Sequence, residues 1–202
     1  MNIGIIGTGH VAATLAERWA ASGHAVTLGS RDPGAASTGF PVASVAEVVR
    51  GHDVLVNATP GAVSLEALGA VDPGAYAGKV VIDVANAVGP SFDLLYPNSS
   101  LGERLAEALP DAKIVKTLNT AAMTVLTEPT LIGPSSVFLS GDDEAAKATA
   151  AGLLRDLGWT DDGIVDLGGI QTARGVEHYF LLFAALMRRT GRPFNIRVVS
   201  GS

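Results

Sequence analysis

Gly7-Thr8-Gly9-His10-Val11-Ala12 is the stretch whose residue types and spacing most plainly suit a chemical task, the holding of a phosphate. An apolar run (Ile3, Ile5, Ile6) leads into it, a helical pattern leaves it, and a second β-rich run over 25–28 ends at Gly29-Ser30-Arg31. The order strand, glycine turn, helix, strand gives a G-x-G-x-x-A match the context of a dinucleotide-binding fingerprint. Gly7 suits a tight turn, Gly9 lets backbone approach a pyrophosphate, and small Ala12 keeps helix and strand close. The unpaired N–H groups at the helix start, with the positive end of its dipole, favour an anion there.

The end of the second strand selects the dinucleotide. A ribose 2′-hydroxyl calls for a carboxylate acceptor, and a 2′-phosphate calls for a cation and hydroxyl donors. Ser30 and Arg31 come first after the run and favour NADP(H), the planar guanidinium also being suited to lie on adenine. Asp32 would be a ribose acceptor if the register moved by one residue, although Asp32-Pro33-Gly34 reads naturally as a turn.

The elements that must position these residues follow from pattern. Val42 and Ala43 suggest a short strand, and a helix over 44–49 has Ser44 as cap with Glu47 three residues on. Buried strands are expected over 53–58, 79–84 and 113–118, with a helix over 101–109 before the last of them. Strands so placed finish on one edge at Gly7, Thr59, Asn86 and Asn119, the edge where ligands bind in doubly wound sheets. The last third reads as a strand over 136–139, a helix over 142–157 capped by Asp142 or Asp143, a strand over 164–167, a helix over about 170–189 and a closing strand over 195–199. The expected fold is α/β: a Rossmann-type, doubly wound, mostly parallel sheet over 1–127 and a small α+β carboxyl-terminal domain over 128–202.

At 202 residues, 48% hydrophobic and 17% charged, the chain is long and apolar enough for a real core. Its net charge of −6 offers no basic field for nucleic acid or an acidic membrane surface. Without cysteine it has no disulfide, thiolate metal site or thiol nucleophile, and no metal-ligand cluster is apparent. No apolar stretch reaches the ~18 residues of a membrane helix. A first strand beginning at Asn2 leaves no room for a signal peptide, so a soluble cytoplasmic protein is expected.

Three stretches resemble the NADPH-dependent reductases of the deazaflavin coenzyme F-420 and the cytosolic domain of the six-transmembrane ferric reductases. They are Gly7-Thr8-Gly9 with Gly29-Ser30-Arg31, the run Val115-Lys116-Thr117-Leu118-Asn119-Thr120, and Asp166-Leu167-Gly168-Gly169-Ile170-Gln171-Thr172-Ala173-Arg174 with Glu177. The resemblance implies a homodimer that binds NADPH across the sheet edge, with a small-molecule redox acceptor, F-420 or a flavin, stacked on the nicotinamide. It places Thr8 and Gly9 on phosphate, Ser30 and Arg31 on the 2′-phosphate, and Thr59, Pro60 and Asn119 at the nicotinamide end. The candidate cofactor-binding residues are thus Gly7, Thr8, Gly9, His10, Val11, Ser30, Arg31, Ala58, Thr59, Pro60, Asn86 and Asn119. The chain departs from the family at Gly168-Gly169-Ile170, where Gly-Pro-Leu is usual, and at His178, where a small residue or proline is usual.

Hydride transfer between two flat rings needs close stacking and little else, whereas carbonyl or imine reduction also needs a proton donor. His178 is the candidate catalytic donor and His10 a second, the latter also being placed to touch phosphate. Arg174, Glu177 and His178 share one helix face, which suggests an Arg174–Glu177 pair anchoring the carboxyl-terminal helix. His24 and His52 are expected at the surface. Lys116 and Asn119 invite comparison with the lysine–asparagine pair of β-hydroxyacid dehydrogenases, but they sit at a strand end and no long helical substrate domain follows. The leading function is an NADP(H)-dependent oxidoreductase passing hydride to a deazaflavin or flavin-like acceptor. A reductase of small carbonyls or imines and a non-catalytic NADPH sensor are the alternatives.

Overall fold

Seven helices and eight strands follow from the chain's apolar periodicities in the computed structural model, which describes residues 1–199 and 201. Six parallel strands form one sheet: β1 (Asn2–Ile6), β2 (Ala25–Ser30), β3 (Val42–Ser44), β4 (Val54–Asn57), β5 (Val80–Asp83) and β6 (Lys113–Lys116). Their order, β3-β2-β1-β4-β5-β6, is that of a doubly wound dinucleotide-binding sheet, so the expected fold class stands. All four residues of β4 are buried, as a strand covered on both faces requires.

Each face of the sheet has its own core. On one, Ile3, Ile5, Leu28, Val56 and Val115 pack beneath α1 (His10–Ala21) and α6 (Glu144–Asp156). Ala12, Leu15, Ala16 and Trp19 of α1 recur at helical spacing and are all buried. On the other, Ile6, Leu55, Val81 and Ile114 meet α2 (Val45–Gly51), α3 (Ser64–Gly69) and α4 (Leu101–Ala108). Ser44 caps α2 in the reciprocal arrangement with Glu47 that the sequence suggests.

Beyond the short α5 (Met123–Leu126), β7 (Val137–Leu139) and β8 (Ile164–Asp166) pair in parallel around α6 (Glu144–Asp156), whose cap is Asp143. Buried Val137, Leu139, Leu153 and Trp159 belong to the same apolar cluster as Ile3 and Val56. The Trp19 indole N–H reaches across from α1 to the Leu153 carbonyl at 3.1 Å. Two expectations are corrected here. The helix over 170–189 begins as a 3-10 turn, Ile170–Thr172, before α7 (Ala173–Thr190). No strand forms over 195–199: Ser136 donates its N–H to Ile196 O at 2.8 Å and its Oγ accepts from Val198 N at 3.1 Å, which is two hydrogen bonds and not a ladder.

Candidate functional site

The carboxyl ends of β1, β2, β4 and β5 border a cleft of about 770 Å³. Eleven of the candidate cofactor residues line it: Gly7, Thr8, Gly9, His10, Val11, Ser30, Arg31, Ala58, Thr59, Pro60 and Asn86. Gly7 has φ of +127°, and a Cβ there would lie 2.7 Å from the Ala58 carbonyl oxygen, so both conformation and space require glycine. At Gly9 a Cβ would meet nothing within 4 Å, so the space over the start of α1 is open. No acidic residue occupies the first turn of α1 and no side chain caps it. Its N–H groups therefore face that space as donors.

At the far end of the cleft Ser30 Oγ accepts from Asp32 N at 3.1 Å, which leaves the hydroxyl proton free to donate. Among the described residues no carboxylate pairs with the Arg31 guanidinium. Asp32 also lines the cleft, its Oδ1 turned toward Gly34 as the Asp-Pro-Gly turn suggests.

Asn119 stands one layer behind. Its Nδ2 donates to Asn86 Oδ1 at 3.0 Å and to Val176 O at 3.1 Å, and Asn86 Nδ2 returns a bond to Asn119 O at 2.9 Å. Leu118, just before it, has φ of 53°, a left-handed conformation that costs a non-glycine residue about 1 kcal/mol. That turn sends Asn119 back onto Asn86 and α7, so Asn119 braces a lining residue.

Beneath this wall lies a cluster of charges for which strand periodicity gives no hint. Lys116 is fully buried and its ammonium donates to Asp83 Oδ2 at 2.8 Å, to Glu177 Oε1 at 3.1 Å and to the Ala85 carbonyl. Burial alone would pull the Lys116 pKa down, but Asp83 and Glu177 outweigh it and hold it above the usual lysine value. Glu177 also accepts from Leu101 N and Gly102 N, the first amides of α4, at 2.8 and 3.1 Å. One carboxylate thus ties α7, α4 and the sheet together.

The expected Arg174–Glu177 pair does not form. Arg174 makes a two-pronged pair with Glu103, at 2.8 and 2.7 Å, and this holds the Glu103 carboxyl below its ordinary pKa. The i, i+3 spacing permits contact, but the α4 amides and Lys116 offer Glu177 stronger partners. His178 is half-buried, its Nε2 has no hydrogen-bond partner, and it lies outside the residues that line the cleft. His24 is less exposed than expected, its side chain 10% accessible between the amino terminus and Asp156. His52 is half-buried against Val48 O. Asp83 and Lys116 were legible in principle: they are register partners at the ends of adjacent strands, where opposite charges face each other.

Comparison with known proteins gives concordant results. The family model for coenzyme F420-dependent NADP oxidoreductases matches residues 2–87. A crystal structure from Arthrobacter sp. FB24, assigned as an F420-dependent NADP-reductase, is 39% identical with a TM-score of 0.92, covering 99% of this chain and 100% of that one. The metalloreductase STEAP3 of Rattus norvegicus is 31% identical over 179 residues, 87% of this chain and 35% of its own length. The chain therefore spans about a third of the curated relatives it matches, metalloreductase STEAP2 of Homo sapiens among them at 37%. A reductive aminase from Aspergillus terreus, solved with NADPH4, cyclohexanone and allyl amine, shares the fold at a TM-score of 0.69 and 20% identity, covering 94% of this chain and 62% of that one. Among the described residues no helix is long and apolar enough to cross a membrane.

Proposed function

Because the chain belongs to the family of coenzyme F420-dependent NADP oxidoreductases, we propose that its cleft binds NADPH and delivers the hydride to a flat acceptor of the deazaflavin type. One observation carries this reading: the cleft has a cation and a hydroxyl donor at its β2 end and no titratable side chain at its β5 end. His10, Arg31 and Asp32 are the titratable residues of the lining, and Val84, Ala85 and Asn86 form the β5 wall. Such a wall can press two rings together without supplying a proton donor, and close stacking is all that ring-to-ring hydride transfer requires of it.

The residues fit the cofactor. The open space over Gly9 and the free α1 amides suit the pyrophosphate, and Arg31 with Ser30 suits the 2′-phosphate. NADPH supplies a hydride, two electrons and one proton, and the acceptor draws its further proton from solvent. Thr59, Pro60 and Asn86 hold the nicotinamide end, with Asn119 behind them. Family membership also leads us to expect a homodimer, and Leu181 and Leu182 of α7, 39% and 54% exposed, offer it an apolar surface.

Gly9→Ala separates ligand contact from folding. The added methyl meets no protein atom but intrudes on the phosphate, so NADPH affinity is expected to fall about tenfold with the melting temperature unchanged. Calorimetry beside a thermal melt checks this, and an equal loss of stability would contradict it.

The acceptor is tested directly. NADPH and NADH are titrated by quenching of Trp19 and Trp159, both buried in the core, and the NADPH complex is then offered F-420, FMN, FAD and ferric chelates at 340 nm. NADPH preference with F-420 turnover supports the proposal. Turnover only with small carbonyls or imines replaces the acceptor and directs attention to His178 and His10 as donors. NADPH binding without any turnover favours a sensor.

A further inference from the structure

A chain of hydrogen bonds joins the buried ammonium to the cleft, and the Asp83 carboxylate sets its direction. Lys116 donates to Asp83 Oδ2 at 2.8 Å. Asp83 Oδ1 accepts from Asn57 Nδ2 at 2.8 Å and from Ala85 N at 3.2 Å. A carboxylate so placed can only accept, so the Asn57 amide must turn its nitrogen to Asp83 and its oxygen to Thr59. Asn57 Oδ1 accepts both the Thr59 N–H, at 3.3 Å, and the Thr59 hydroxyl, at 2.7 Å. The Thr59 proton is thereby committed inward. Ser64 Oγ, which accepts from Asn57 Nδ2 at 3.0 Å, lies 2.8 Å from Thr59 Oγ1 and can use at most one of its two lone pairs.

We infer that Lys116 and Asp83 are positioning residues for the cofactor: acting through Asn57, they fix Thr59 in the cleft as a hydrogen-bond acceptor, ready for a ribose hydroxyl or the carboxamide N–H of NADPH. The inference rests on the proposal that this cleft takes NADPH. Asn57, Asp83 and Lys116 are each 0% exposed, whereas Thr59 lines the cleft, so a buried charge sets the polarity of one surface hydroxyl. Each link is satisfied within the network, the condition under which buried polar chains hold a single arrangement.

Asp83→Asn reverses the relay with little change of volume, at the cost of the oxygen that accepts from Ala85 N. Lys116 demands the new amide's oxygen, so the amide nitrogen faces Asn57 and turns it over. The Asn57 nitrogen then occupies a Thr59 lone pair, and in a Ser64→Ala background, which removes the other inward acceptor 2.8 Å away, the Thr59 proton points into the cleft. The cluster, one cation against two carboxylates in the native chain, becomes one against one, which favours folding of the variant.

The test is a double-mutant cycle read by NADPH titration and kcat. In the Ser64→Ala background Asp83→Asn and Thr59→Val are each expected to weaken NADPH binding about fivefold. If both act through the same hydroxyl, the double variant is also about fivefold weaker; independent effects would multiply to about 25-fold. Multiplying effects, or Asp83→Asn binding NADPH like its Ser64→Ala parent, overturn the relay. A native chain that binds no NADPH overturns the cofactor reading itself. Should Asp83→Asn not fold, the pair Thr59→Val and Thr59→Ser decides: loss with valine and recovery with serine support the acceptor role, and native-like binding with valine overturns it. The 3-acetylpyridine analogue, which lacks the carboxamide N–H, identifies the donor: a Thr59→Val penalty that persists with it assigns the ribose hydroxyl, and one that vanishes assigns the carboxamide.

Discussion

Lys116→Met is expected to cost about 3–5 kcal/mol of stability, because it strands two carboxylates in the interior. Asp83 is 0% and Glu177 4% exposed, and both lean on the one ammonium. Methionine fills the volume, so the loss is electrostatic and not a cavity effect. Neutralising the partners as well, with Asp83→Asn and Glu177→Gln, is therefore expected to restore most of it, although the α4 amides then lose a charged acceptor. Denaturant unfolding of the single and triple variants checks both statements, and a triple variant no more stable than the single one would locate the damage in packing. The pH dependence has a definite sign. The Lys116 pKa is raised in the folded chain, so its contribution is fully present below the ordinary lysine value of 10.5 and is lost as pH rises through the higher folded value. Between pH 6 and 9 this lysine adds no slope to native stability.

The parts of the site that can be read in the sequence are those whose chemistry is local. The glycine turn, the α1 amides and Ser30-Arg31 sit within 31 residues, and each is recognisable from its neighbours alone. Thr59 and Asn86 need one further rule, that parallel strands of a doubly wound sheet finish on the ligand edge, and β4 and β5 obey it. The charge cluster obeys no local rule. Asp83, Lys116 and Glu177 belong to two strands and a distant helix, and each alone resembles a polar residue at an element's end. Strand pairing brings the first two together, and only the docking of α7 on α4 adds the third. Arg174 failed as a partner for Glu177 for the same reason: helical spacing defines which neighbours are available, and tertiary contacts choose among them. The tail over 195–199 has the composition of a strand, but its hydrogen bonds run to Ser135 and Ser136 alone, and half of them come from the Asn195 side chain.

Arg31→Ala is expected to raise the Kd for NADPH about 30-fold to 100-fold while leaving that for NADH within about twofold. The two dinucleotides differ only at the ribose 2′ position, so the ratio isolates whatever meets the phosphate. Among the described residues Arg31 has no competing carboxylate partner, and Ser30 keeps a proton to donate beside it. A guanidinium against a phosphate makes charge-assisted bonds worth about 2–3 kcal/mol when it is not already paired. Asp32, in the same lining, opposes it, so Asp32→Asn should move the preference a few-fold the other way. Salt gives an independent check, because the NADPH affinity of the native chain should fall with ionic strength more steeply than that of Arg31→Ala. Equal losses for NADPH and NADH would mean that Arg31 supports the adenine face and not the phosphate.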